Sequence, residues 1–156
     1  MGEDSKDPSK TKKDNAMNHK VVIKSPLAPP AIGPYSQAIK VENMIFVSGQ
    51  IPIDKEAKNV VGTDIAAQTR QCLNNLRAIL EATGATLSQV AKTTVYLKSL
   101  DHFKEMNAVY KEFFPIDPPA RSCVEVSRLP GNVLIEIDAV AVLPPPPKAV
   151  NTSSLL

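Results

Sequence analysis

The chain has 156 residues, 43% of them hydrophobic, which suits one domain around one core and excludes two full-sized ones. Its 18 basic and 16 acidic side chains are scattered and leave a net charge of +2, so no field selects a polyanion and nucleic acid is not an expected partner. The isolated Cys72, Cys123, His19 and His102 form no Cys-x-x-Cys or His-x-x-x-His pairing, so neither a disulfide framework, a structural metal nor any other cofactor is expected.

In chain order, residues 1–19 carry no aliphatic side chain beyond Ala16 and the methionines Met1 and Met17 and read as a disordered tail, since nothing there offsets the entropy of ordering. The tail has lysines interrupted by acids, no arginine and no hydrophobic stretch, unlike a mitochondrial or secretory leader. Met1-Gly2 fails the myristoylation pattern at Lys6. No apolar run in the chain reaches the roughly 18 residues of a bilayer span, so a soluble, cytoplasmic protein is expected.

His19 to Lys24 and Met44 to Val47 are short apolar runs of strand type, with a further strand admissible from Gln37 to Val41. Between them lies a Pro-rich loop, Ser25 to Pro34. From Thr63 the positions Ile65, Thr69, Cys72, Leu76 and Ile79 recur at helical steps, with Thr63 placed to cap and Gly84 to end the helix. Val90 to Leu97 is β-branched and aromatic, a strand. Phe103, Met106, Tyr110 and Phe113 then follow helical spacing after an Asp101 cap.

Ala120 to Val126 and Val133 to Val142 are strand-like and are joined by SRLPGN, whose Pro-Gly pair predicts a turn and hence a hairpin. The domain should span 20–143. Residues 144–156 open with four prolines and read as a stiff extended tail, in preference to the alternative of an SH3-type ligand. This order predicts an α+β fold with two helices on one face of a mixed sheet. The other face is left bare, so association through the sheet is expected.

Alternation places Arg121, Cys123 and Glu125 on one face of the penultimate strand, and Glu136 and Asp138 on one face of the last. A hairpin would bring Arg121 close to those carboxylates. Two readings fit: an anion site in which the guanidinium forks onto a substrate carboxylate while an acid handles water, or a cross-strand ion pair that only supports the hairpin. Spacing does not separate them. Cys123 has no His or Lys in its motif to activate it and reads as lining. Asn107 is an indifferent helix former in mid-helix, while Tyr35, on residues alone, is a loop anchor.

The segment Pro119 to Leu129 (PARSCVEVSRL), followed by Ile135-Glu136-Ile137, resembles the C-terminal signature of the Rid superfamily, specifically its RidA (YjgF) branch of reactive intermediate deaminases. Ala31 to Gln37 (AIGPYSQ), Val47 to Pro52 (VSGQIP) and Met106 to Tyr110 (MNAVY) agree in order and spacing, so the likeness covers about residues 21–143. It implies a chorismate-mutase-like homotrimer with clefts between subunits. It also implies hydrolysis of reactive enamines and imines (2-aminoacrylate, 2-aminocrotonate and their imines) to 2-oxo acids and ammonia, without cofactor. On that resemblance Arg121 binds the substrate carboxylate, Glu136 positions water, and Tyr35, Ser48, Gly49, Asn107 and Cys123 line the pocket. Endoribonuclease or translation-inhibitor activity, and a non-catalytic carboxylate-binding or chaperone-like trimer, are the alternatives.

Overall fold

The computed structural model describes residues 19–147; the tail expected before His19 and the end of the one expected after Pro147 lie outside them. In chain order the elements are β1 (Lys20–Ile23), β2 (Ala38–Val41), β3 (Met44–Gln50), α1 (Ile65–Glu81), β4 (Val90–Leu97), α2 (Phe103–Phe113), β5 (Ala120–Glu125) and β6 (Ile135–Val142). The short strand from Gln37 is therefore present. The strands form one mixed six-stranded sheet, ordered β1-β2-β3-β6-β4-β5, antiparallel throughout except for the parallel β4–β5 pair.

Helix α1 turns Ile65, Thr69, Cys72, Leu73, Leu76, Ile79 and Leu80 inward at the predicted three- and four-residue steps. Its cap is Asp64 rather than Thr63: the carboxylate accepts the Ala67 N–H at 2.9 Å, satisfying an amide that has no partner within the helix. Gly84 ends the segment with φ +83, as its lack of a Cβ allows. Nor does Asp101 cap α2. Ser99 begins a short 3-10 turn, Leu100–His102, by accepting the Asp101 N–H, and α2 continues from that turn without a side-chain cap.

Both helices pack on the same sheet face. β6 gives that face Ile135, Ile137, Ala139 and Ala141, all buried, while β4 gives it Thr93, Val95 and Leu97. The opposite face carries Val22, Val41, Met44, Phe46, Val124 and Val142, all substantially exposed, with Phe46 at 43%. The expected bare face thus exists.

The expected β5–β6 hairpin does not form. β6 inserts between β3 and β4, and β4 separates it from β5. The chain from Val126 to Leu134 crosses the end of β4, tied there by Val126 N–H to Leu97 O and Lys98 N–H to Leu134 O, both 2.9 Å. Pro130–Asn132 makes a single 3-10 turn, with positive φ at Gly131 and Asn132, inside this crossing. Burial explains the order: β4 and β6 bury the most apolar strand faces, and central positions let each pair on both edges.

Candidate functional site

Arg121 stands on the outer strand β5, in register with Thr93, on the helix side of the sheet. Its guanidinium lies over the Tyr110 ring at 4.7 Å and the Phe103 ring at 5.5 Å. Nη1 donates to Asn107 Oδ1 at 2.7 Å and touches Met106 Sδ at 4.0 Å. Tyr110 is itself fixed by a 2.7 Å hydrogen bond with Thr93 Oγ1. The ion pairs among the described residues are Lys55–Glu56 and Arg70–Glu112, so no described carboxylate pairs with Arg121. The cross-strand ion pair is therefore not made. A guanidinium has five N–H donors, and Arg121 lines an open cleft of about 570 Å³ together with Asn107, Tyr110, Lys111, Phe114 and Pro118.

Cys123 shares this side of β5. Burial pushes its thiol up, partly offset by the Arg121 charge, which disfavours the thiolate, and the side chain packs against the core.

Glu136 belongs to a second cluster. Val47 pairs with Ala139 and Gln50 with Ile137, so Ser48 and Gly49 together oppose Asp138 in a β-bulge, which bends β3 and re-aims its side chains. Ser48 is held from both ends: its N–H donates to Gln37 O at 3.0 Å and its hydroxyl to Ser36 O at 2.6 Å. A Cβ on Gly49 would lie 1.9 Å from Glu136 Oε1, so the glycine makes room for the carboxylate. Tyr35 anchors its loop, accepting the Ile32 N–H at 3.2 Å, and leaves its ring half exposed. Tyr35, Ser48, Gly49, Lys55, Lys58 and Glu136 line a cavity of about 720 Å³. Burial, and then the negative charge of Asp138, raise the Glu136 carboxyl above the usual carboxylate range.

The sequence-predicted residues thus fall into two groups. Arg121, Asn107 and Cys123 come together beside α2. Tyr35, Ser48, Gly49 and Glu136 come together around the bulge. Arg121 and Glu136 lie on opposite faces of the sheet in one chain, since Arg121 is in register with Thr93 on the helix face and Glu136 with Tyr96 on the open one, and β4 separates their strands. Tyr110 and Phe103, the platform under the guanidinium, went unnoticed as site residues because their helical spacing is also that of core positions.

Residues 25–143 match the Endoribonuclease L-PSP family, and the chain belongs to that family, the Rid or YjgF family that its motifs resemble. Among its relatives, a RutC family protein of Pyrococcus abyssi is 57% identical over 122 residues, covering 78% of this chain and 96% of that one. The 2-iminobutanoate/2-iminopropanoate deaminase of Escherichia coli K12 is 51% identical over 118 residues, covering 74% and 91%. The crystal structure of E. coli TdcF with bound serine superposes with a TM-score of 0.77 at 40% identity, over 80% of this chain and 99% of that one. Among the described residues no helix is long and apolar enough to cross a membrane.

Proposed function

We propose that this chain is a deaminase that hydrolyses 2-imino acids to 2-oxo acids and ammonia, in clefts shared between neighbouring copies of a cytoplasmic homotrimer. The observation that carries the reading is Arg121: a guanidinium fixed on two aromatic rings and Asn107, with no described carboxylate paired to it. Such a group is prepared for a carboxylate ligand. The deaminase named above is similar over nearly its whole length, and serine, the ligand bound in TdcF, carries a carboxylate of the same kind.

The β5 edge opens Arg121 to the outside, and the apolar bare face gives a second copy a surface to cover. In the proposed trimer one chain supplies Arg121, Asn107 and Cys123, and its neighbour supplies Tyr35, Ser48 and Glu136. Arg121 anchors the carboxylate and orients the C=N carbon. Glu136 takes a proton from water as its oxygen bonds to that carbon and passes the proton to nitrogen; it then relays the carbinolamine's hydroxyl proton to nitrogen as the C–N bond breaks, which releases ammonia and leaves Glu136 a carboxylate again. A carboxyl raised above its usual range suits that exchange.

Imine decay is followed with 2-aminoacrylate or 2-aminocrotonate generated by a pyridoxal-dependent dehydratase. Arg121→Ala should leave the fold intact and lower the acceleration on the order of a hundredfold or more, as expected when a buried charge pair loses one member. Activity near wild type would overturn the reading.

The family's description favours a second reading, endoribonuclease. Phosphodiester cleavage needs acid and base groups in a basic groove, and the Arg121 cleft instead offers two cations against prolines and aromatics. RNA cleavage by the wild type, kept in Arg121→Ala, with imine hydrolysis absent from both, would establish it. A trimer that binds 2-oxobutyrate without accelerating imine decay would establish a carrier instead.

A further inference from the structure

Glu136 shares the open face of β6 with Asp138, two residues on. On β4, Tyr96 is in register with Glu136 and Thr94 with Asp138. The Tyr96 hydroxyl nevertheless reaches diagonally past its own partner and donates to Asp138 Oδ2 at 3.1 Å. On the other flank the Ser48–Gly49 bulge faces Asp138. The mechanism above uses neither Tyr96 nor Asp138, yet together they place a second carboxylate beside the first and fix its orientation.

We propose that Tyr96 and Asp138 are positioning residues for Glu136: the Tyr96 hydroxyl ties Asp138 down, and Asp138 keeps a fixed negative charge facing Glu136. This rests on the reading of Glu136 as the water-handling carboxylate. Like charges on one strand face favour the protonated form of one of them. That effect adds to burial, the larger cause, in raising the Glu136 carboxyl, and a proton acceptor closer to neutrality is a better shuttle between water and nitrogen.

The other groups around the pair do not replace this arrangement. β3 presents Ser48 and Gly49, neither of which titrates. Asp54, Lys55 and Lys58 line the same cavity as Glu136 and, like the Arg121 that a neighbouring copy brings to the cleft in the proposed assembly, are common to every variant compared. Lys92, further along β4, donates to Thr93 O and Ser122 Oγ instead. Behind β6, the Cys72 thiol on α1 is pushed well up by burial and stays neutral. β5 lies beyond β4 and presents Ser122 and Val124 on this face.

The test is a titration of the Glu136 side-chain carboxyl by ¹³C NMR in the full chain, without substrate. Asp138→Asn should lower its midpoint. Tyr96→Phe, which removes only the hydroxyl and carries the test should Asp138→Asn not fold, should move it the same way by less, because the released Asp138 charge swings toward solvent. The acidic limb of kcat for imine hydrolysis should follow, with KM unchanged. A Glu136 midpoint unmoved by the substitutions overturns the proposal. Failure of the functional reading is distinguishable: a wild type that hydrolyses no imine overturns that reading, while the carboxyl titration still decides the role of Tyr96 and Asp138.

Discussion

At Gly49 a single missing methyl group decides whether the carboxylate can occupy its place. The Cβ of Gly49→Ala would overlap Glu136 Oε1, and the end of the glutamate side chain is the part free to move. Little stability should be lost, while kcat for imine hydrolysis falls at least about tenfold through misplacement of Glu136; steady-state kinetics beside a melting curve checks both. Glu136 itself has a pH signature. Its folded carboxyl titrates above its unfolded value, so its contribution to stability is fully present below the unfolded value and is lost as pH rises through the folded one. Glu136→Gln should therefore raise Tm at pH 8 and leave it nearly unchanged at pH 3, as thermal melts at the two pH values will show. Arg121 was legible as an important cation, but its partner was not. Alternation fixed its face; the aromatic platform depends on α2 crossing above β5, and no periodicity within either element encodes that.

Among the elements, α1 was legible almost to the residue because one buried stripe recurs over its whole length. Leu76 sits fully buried in that stripe, and Leu76→Ala should cost about 2–5 kcal/mol, measurable by urea denaturation. The caps were harder. Thr63 and Asp64 are both competent, and only the approach of the preceding loop selects Asp64. The β5–β6 pair was misread because two strands joined by a Pro-Gly segment look like a hairpin locally. The pairing of β6 with β3 and β4 is non-local, and local turn chemistry does not report it. That error mattered for the site: it placed Arg121 beside Glu136 within a chain, whereas the sheet order puts β4 between their strands. The bulge at Ser48–Gly49 was equally hidden, since only the partner strand reveals a two-against-one register.

At the scale of the molecule, the bare sheet face was foreseen from a count of helices against strands, and Val22, Met44, Phe46 and Val142 now define it. If copies associate through this face, Phe46→Lys places a charge in the contact. It should dissociate the assembly at micromolar concentration, as read by analytical ultracentrifugation, and remove imine hydrolysis with it. The proposed function depends on that assembly, because the separated clusters around Arg121 and Glu136 make a site only when two chains meet. The most direct measurement is complementation between two inactive variants, Arg121→Ala and Glu136→Gln, unfolded together in equal amounts, refolded and assayed for imine hydrolysis. Shared clefts with random mixing predict recovery of about a quarter of wild-type activity, since a site is then intact whenever the arginine and the glutamate come from the unmutated side of each chain. A mixture as inactive as its two parents would contradict the account.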